Sequence, residues 1–265
     1  MTNKHIQLTS QYNELGYFVV RDYFPQSEIK ALRQVVQTFH RAWIADNHTF
    51  YKQEAFNSSV ITGNIYLSDN DRMALFEFIS STKVMDMVNA VIANKPAFMN
   101  TQLFFNPVNP CLKDFWHRDC QYDHDIDIQK QVIHDTQVVH LRVPLFDELG
   151  MELVPGTHKR WDNEEEFNVR QEINGHESSD ALSLGEKIPL KAGDLLVFSA
   201  DMIHRGLYGL DRLALDILVF DSQADFGDYV DEQCLPSTNM LKQLEDPSLF
   251  LNTMTLKSTL CHEGI

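Results

Sequence analysis

The stretch "AGDLLVFSADMIHRG", residues 192–206, decides the predicted fold. Its apolar run follows a glycine and an aspartate and leads to His204, as expected of a buried strand with a polar end. Comparable runs, rich in β-branched and aromatic residues, surround it: "FMNTQLFFN" (98–106), "TQVVHLRVPLF" (136–146), "MELVPGTH" (151–158), "KIPLKAGDLLVFS" (187–199) and "LALDILVFD" (213–221). Short strands separated by polar turns predict a β sandwich or barrel at about residues 98–221.

Helices are predicted to precede this core. The stretch "LGYFVVRDYF" (15–24) predicts a short strand, and the helical spacing of apolar residues after it predicts a helix with Ser27 as N-cap. A second helical pattern covers residues 71–93. The predicted fold is α+β, mainly β, in a single domain over residues 1–265. A polar, acidic insert at about 161–187 is expected to be a surface loop or lid.

Composition and charge limit the possible partners. The chain of 265 residues has 38 acidic and 22 basic residues, a net charge of −16, which would repel nucleic acids and anionic membranes. No apolar stretch is long enough to span a bilayer, and the N-terminus lacks the basic and apolar segments of a signal peptide. Four scattered cysteines without CxxC spacing favour a reducing compartment. We expect a soluble cytoplasmic protein that acts on a small molecule.

A kinase interpretation of "HRD" (117–119) and "DFG" (225–227) is excluded by the sequence around them. A kinase catalytic loop needs an asparagine five positions after the aspartate, where this chain has His124. No glycine-rich loop precedes the motif. The two tripeptides are therefore chance matches.

A metal site explains the same residues better. In an extended segment His117 and Asp119 project from one face, while Arg118 points away. With His204 from the end of the apolar strand, they form the two-histidine, one-carboxylate set typical of non-haem Fe(II) oxygenases. Arg212 follows His204 at the start of the next strand, where its guanidinium can bind the distal carboxylate of 2-oxoglutarate.

One further histidine and one further arginine leave alternatives open. His158 lies in the turn "VPGTHK", where a structural role is favoured over metal ligation. Arg142 shares the polar face of its strand with His140, opposite an apolar face. It either pairs with an acidic residue or receives a carboxylate or phosphate of the substrate.

Four stretches together resemble the phytanoyl-CoA dioxygenase family of Fe(II)/2-oxoglutarate-dependent oxygenases: "YNELGYFVVRDYFPQSEIKALR", "FWHRD", "GMELVPGTHK" and "AGDLLVFSADMIHRG". The resemblance covers about residues 12–221 and implies a double-stranded β-helix core of the jelly-roll or cupin type. It also implies that His117, Asp119 and His204 ligate iron and that Arg212 binds the C5 carboxylate of 2-oxoglutarate.

The resemblance assigns further residues to the cosubstrate pocket. Gln102 and Asn106 share a strand face at positions that line this pocket in the family, and His140 lies near another such position. The chain departs from relatives that carry serine where it has Gly206. The presence of Asp119 implies hydroxylation, because related halogenases lack this carboxylate and bind chloride in its place.

The reaction implied by the resemblance consumes O2 and 2-oxoglutarate and yields succinate, CO2 and an oxidised, aliphatic substrate carbon. No basic cluster for a coenzyme A phosphate stands out, so an amino acid, a secondary-metabolite intermediate or a free acid is favoured over an acyl-CoA. Two alternatives are a hydroxylase of protein side chains and an inactive metal- or ligand-binding protein on the same fold.

Overall fold

The computed structural model describes residues 3–135, 138–222 and 226–263, so Asp225 of the "DFG" tripeptide lies outside the described residues. The helices are α1 (Asn3–Leu15), α2 (Gln26–Asp46), α3 (His48–Gln53), α4 (Asp69–Ile79), α5 (Thr82–Val91), α6 (Ile126–Asp135), α7 (Glu164–Arg170), α8 (Thr238–Leu241) and α9 (Ser248–Glu263). The strands are β1 (Tyr17–Val20), β2 (Asn57–Ser59), β3 (Pro96–Phe105), β4 (Val138–Pro144), β5 (Glu148–Leu153), β6 (Glu186–Leu190), β7 (Leu195–Ser199), β8 (His204–Gly206) and β9 (Leu213–Asp221). None of the described helices has the length and apolar character needed to cross a bilayer.

The strands form two antiparallel sheets. Six strands have the order β1-β7-β4-β9-β3-β2, and three have the order β6-β5-β8. An isolated antiparallel bridge between His117 and His204 extends the smaller sheet beyond β8. This arrangement confirms the predicted mainly-β core with flanking helices.

Alternation along the strands of the large sheet separates the main core from a polar face. In β4, Val139, Leu141 and Val143 belong to the main core, which also contains the buried faces of α2, α4 and α5. His140 and Arg142 project to the opposite face, as predicted from the period of two. There a smaller apolar cluster joins the two sheets: Tyr17, Met151, Leu153, Leu190, Leu196, Phe198 and Met202.

The structure corrects the start of one predicted helix and divides the other into two, and a serine is involved in each case. Helix α2 begins at Gln26 with Pro25 at the N-cap position, so Ser27 lies inside the first turn. The fixed φ of proline, here −57°, suits this position, which needs no donor. The pattern at 71–93 is two helices, because the Ser81 side chain accepts a hydrogen bond from the Val84 N–H and caps a new helix.

The run predicted as one strand at 187–199 is two strands in different sheets. A turn separates them, closed by a hydrogen bond from the Asp194 N–H to the Lys191 carbonyl. The buried Asp194 carboxylate fixes this turn by accepting from the backbone N–H groups of Lys191 and Asp22 and from Arg21. The chain therefore changes sheets at a polar turn inside an apolar run.

The acidic insert contains ordered structure. Asn163 caps α7 in a reciprocal capping box with Glu166. Val169 and Leu182 of the insert are buried in a small cluster with Trp116, Val154 and Ile203. The insert thus contributes to the interior, and its role as a lid stays a prediction.

The last helix packs onto the large sheet. The Thr253 hydroxyl donates to the Phe98 carbonyl at 2.8 Å, and the Asn252 amide donates to the Pro96 carbonyl at 2.9 Å. Strand β1 is paired in the same sheet. Segments near both ends of the described chain thus contact the large sheet, and the single domain stays a prediction.

His158 is buried against the N-terminal segment. Its ring contacts that of Tyr12, and the left-handed Gly16 (φ +86°) leaves room for it, since a Cβ on Gly16 would lie 2.6 Å from Nδ1. Burial, aided by the charge of Lys159, lowers the pKa of His158 to about 4 from an ordinary 6.5. This environment supports the structural role predicted for His158.

We expect His158 to make the metal-free protein less stable as the pH falls from 6.5 to 4. Between these values the unfolded chain binds a proton that the folded protein excludes, so the stabilisation present above pH 6.5 is progressively lost. The expected contribution is about 1–3 kcal/mol. Urea denaturation across this range should show a shallower pH dependence for His158→Phe than for wild type. The exposed His48→Gln should match wild type, and equal slopes for His158→Phe and wild type would contradict the assignment.

Candidate metal and anion site

His117, Asp119 and His204 come together as predicted. One ligand atom from each lies within 4.8 Å of the others. Asp119 Oδ1 is 3.6 Å from His117 Nε2 and 3.4 Å from His204 Nε2. Two backbone hydrogen bonds, of 3.0 and 2.9 Å, join His117 to His204 and hold the imidazoles side by side. Two nitrogens and one carboxylate oxygen form a donor set that fits Fe(II).

Both histidine rings are oriented by backbone carbonyls. His117 Nδ1 lies 3.1 Å from the Phe115 carbonyl, and His204 Nδ1 lies 2.9 Å from the Met202 carbonyl. Because a carbonyl only accepts, the proton resides on Nδ1 and the Nε2 lone pair faces Asp119. Burial lowers the pKa of His204 to about 3 and also lowers that of His117. Both rings are therefore in the neutral form that binds metals.

His140 holds the second oxygen of Asp119. Its Nε2 lies 2.8 Å from Asp119 Oδ2, and its Nδ1 lies 3.2 Å from Asp216 Oδ2. Burial opposes protonation, but the two carboxylates outweigh it and raise the pKa of His140 to about 9. Burial alone would raise the pKa of Asp119, yet the hydrogen bond from His140 holds the pKa of this carboxyl group well below its usual range. Asp119 is thus ionised, with Oδ1 directed at the two metal-facing histidines.

Arg212 is a buried cation with an unfilled donor. Its Nη1 donates to the Phe105 carbonyl at 3.3 Å, whereas Nε has no hydrogen-bond partner among the described residues. Glu148 lies 4.0 Å from Nε, too far for a hydrogen bond. Burial and the charge of Arg142 lower the pKa of Arg212 to about 10. A guanidinium in this state suits a bound carboxylate.

Gly206 makes room for this guanidinium. A Cβ on Gly206 would lie 2.2 Å from Arg212 Nη2 and 3.1 Å from Cζ. A serine side chain at this position would overlap the present position of Arg212. The glycine at position 206 therefore allows the Arg212 guanidinium to lie where it does.

A cavity of about 750 Å³ contains the three metal-facing residues and Arg212. Gln102 and His140 also line it, as predicted. Its walls are rich in aromatic side chains: Phe56, Phe104, Phe115, Tyr122, Phe198, Tyr208, Phe226 and Tyr229. The volume is sufficient for a small cosubstrate together with a second organic molecule.

Two predicted site residues lie elsewhere. Asn106 does not line the cavity, because β3 and the alternation of its side chains end at Phe105. The Asn106 side-chain amide donates a hydrogen bond to the Leu210 carbonyl, and its oxygen accepts one from the Gly209 N–H. Arg142 is fully buried and donates to Glu148 at 2.9 and 3.1 Å and to Asp216 at 2.9 Å. The ion-pair alternative describes Arg142 in this structure, and a role in substrate binding stays a prediction.

Asp216 is the main site residue that the sequence analysis missed. It connects His140 to Arg142 and lies opposite Arg142 in the β4–β9 register. The signal was available, since "LALDILVFD" has one charged residue inside an apolar strand, and a buried charge requires a partner. Glu148, the other partner of Arg142, is not marked in the sequence by a comparable apolar surrounding.

A scan against family models matches residues 12–207 to the phytanoyl-CoA dioxygenase (PhyH) family. A search of curated proteins found no match.

Solved structures resemble this fold at low sequence identity. EctD from S. alaskensis, with 2-oxoglutarate and 5-hydroxyectoine, is 13% identical, with 84% of this chain and 77% of that chain covered and a TM-score of 0.59. HygX from Streptomyces hygroscopicus, with nickel and 2-oxoglutarate, is 12% identical, with 83% and 87% covered and a TM-score of 0.58. The carbocyclase SnoK from nogalamycin biosynthesis is 12% identical, with 84% and 85% covered and a TM-score of 0.55. These likenesses confirm the predicted jelly-roll type of fold.

Proposed function

The chain belongs to the phytanoyl-CoA dioxygenase family of Fe(II)- and 2-oxoglutarate-dependent oxygenases, and from that premise we propose that it hydroxylates an aliphatic carbon of a small molecule. The observation that carries the proposal is one cavity that contains both the His117, Asp119 and His204 cluster and Arg212, whose Nε lacks a hydrogen-bond partner among the described residues. The cluster fits a metal ion, and the arginine fits the far carboxylate of a dicarboxylate.

Each residue of the site has a separate task in this proposal. The Nδ1 protons of His117 and His204 are held by backbone carbonyls, so both rings keep their lone pairs aimed at one point. His140 holds one oxygen of Asp119 and leaves the other available. Bound Fe(II) supplies the chemistry that couples O2 and 2-oxoglutarate decarboxylation to oxidation of a substrate C–H bond. Arg212 orients 2-oxoglutarate, and the aromatic walls exclude water.

The charges of the cavity limit the substrate class. Arg212 is the single lysine or arginine among the described residues that line the cavity, and it is assigned to 2-oxoglutarate. Four aspartates line the cavity: Asp119, Asp123, Asp201 and Asp216. His140 also lines the cavity as a cation, but both of its ring nitrogens are engaged by Asp119 and Asp216. An anionic substrate would lack an uncommitted cation to bind, so the cavity favours a neutral or cationic molecule with an apolar body over an acyl-CoA or a free acid.

An anaerobic absorbance titration tests the proposal. Addition of 2-oxoglutarate to the Fe(II)-loaded protein should produce the metal-to-ligand charge-transfer band of the chelate. The band should weaken in His204→Ala and in Arg212→Ala, while the exposed Arg41→Ala should behave as wild type. Succinate release can then rank neutral, cationic and acidic candidate substrates. A folded, iron-loaded protein that gives no band would instead favour the inactive binding protein.

A further inference from the structure

Three residues next to His117 and His204 donate hydrogen bonds to the acidic insert, residues 161–187. Because side chains alternate, Trp116 and Arg118 flank His117 on the face opposite the cavity, and Arg205 follows His204 in the same way. Trp116 Nε1 donates to the Asp180 carbonyl at 2.8 Å. Arg205 Nη1 donates to the Ser179 carbonyl at 2.9 Å. The insert therefore lies directly behind the metal-facing cluster.

Arg118 makes the most extensive of these contacts. Its side chain is fully buried, and both Nε and Nη2 donate to Asp162 Oδ1, at 3.0 and 2.8 Å. Its remaining donors reach the carbonyls of Thr157, Asp201 and Arg160. These hydrogen bonds hold the Arg118 guanidinium in a single position. Since Arg118 lies between His117 and Asp119, fixing it also fixes the backbone that carries both.

Asp162 is the anionic centre of this arrangement. Its side chain is fully buried, and its second oxygen accepts two hydrogen bonds from Arg170, at 2.8 and 2.6 Å. Arg170 also donates to Gln121 at 2.5 Å, and Gln121 accepts from the Arg118 N–H. The Asp162 carboxylate thus links α7, through Arg170, to Arg118, and Arg170 itself binds Gln121. Arg118 and Gln121 lie on either side of Asp119 in the sequence. Without this charge, two buried guanidiniums would lie behind the metal-facing cluster with no carboxylate between them.

We propose that Asp162 is a positioning residue for the metal centre, which it holds through Arg118, and that the insert supports the centre from behind. The inference rests on the proposed function, because it assumes that His117, Asp119 and His204 bind a metal ion. Groups that orient metal ligands typically change metal affinity by about 10–100-fold when they are replaced.

Co(II) binding separates a positioning role from a merely structural one. We expect Asp162→Asn to weaken Co(II) binding by about 10–100-fold and to change its ligand-field absorbance bands. The matched control is Glu166→Gln, which removes a buried carboxylate of the same insert that pairs with Arg160 rather than Arg118. Glu166→Gln should lower the free energy of unfolding and leave Co(II) affinity and the bands unchanged.

The outcomes are distinct. Wild-type affinity and an unaltered spectrum in Asp162→Asn would overturn the inference while the proposed function stands. Failure of the wild-type protein to bind Co(II) would remove the proposed function and this inference together. If Asp162→Asn does not fold, Arg118→Lys decides, because lysine keeps the charge but lacks the fork that reaches Asp162 and the carbonyls. Weakened Co(II) binding in folded Arg118→Lys supports the inference, and wild-type binding overturns it.

Discussion

Replacement of Asp119 by alanine is expected to reduce succinate production from 2-oxoglutarate by roughly 10³-fold or more, equivalent to several kcal/mol of lost metal-dependent stabilisation. Asp119 supplies the anionic donor of the cluster, 3.4 Å from His204 Nε2. Its loss also leaves the buried His140 facing the metal position without its closest carboxylate, at 2.8 Å. The loss of this negative charge makes the site less favourable for a divalent cation.

The measurement is succinate release by purified, Fe(II)-reconstituted variant and wild-type proteins, with bound iron determined in parallel. Asp127→Ala is the matched control, because Asp127 is an exposed aspartate nearby that pairs with Lys130 on the surface. It should retain wild-type activity. An Asp119→Ala protein that decarboxylates 2-oxoglutarate and forms product at the wild-type rate would refute the proposed assignment.

Replacement of Gly206 by alanine is expected to raise the Kd for 2-oxoglutarate by about 10–100-fold, which corresponds to loss of a charge-assisted hydrogen-bonded pair. The new Cβ would lie 2.2 Å from Arg212 Nη2 in the present conformation. The end of a long side chain can move aside, so the guanidinium should be displaced at little cost to folding. We therefore expect affinity for 2-oxoglutarate to fall while the free energy of unfolding and metal affinity remain close to wild type.

A double-mutant cycle isolates this effect. In the Arg212→Ala background, the Gly206→Ala substitution should add no further loss, because the side chain that it displaces is gone. The Kd for 2-oxoglutarate can be obtained from the charge-transfer band under anaerobic conditions. Equal and additive effects in both backgrounds would mean that Gly206 acts independently of Arg212.

The most accurate sequence predictions are those that rest on strand alternation. "LALDILVFD" is β9 with the predicted bounds, and the division of β4 into an apolar face and a face with His140 and Arg142 is observed. Alternation also placed His117 and Asp119 on one side and Arg118 on the other. These succeed because a period of two is a local property of the backbone.

The points that the sequence left open or placed wrongly concern side-chain partners outside the strand in question. Arg142 was given two alternatives, and only the positions of Glu148 and Asp216 decide between them. Asn106 fits the alternating pattern of β3, but β3 ends at Phe105. The Asn106 side chain instead forms hydrogen bonds with the backbone of residues 209–210. The break at 187–199 depends on Asp22 and Arg21, which help to fix the Asp194 turn. Apart from Asp216, a charge inside an apolar strand, none of these partners is marked by local periodicity.

Strand order also has a consequence for biosynthesis. β9 is the last of the strands in the described residues, yet it lies between β4 and β3 in the interior of the large sheet. The other five strands of this sheet leave the ribosome first, and until β9 arrives the inner edges of β3 and β4 have unpaired backbone groups. Such edges are sites of aggregation in nascent chains. Arg212 and Asp216 arrive with β9, so the candidate metal and anion site is complete only after the sheet has closed.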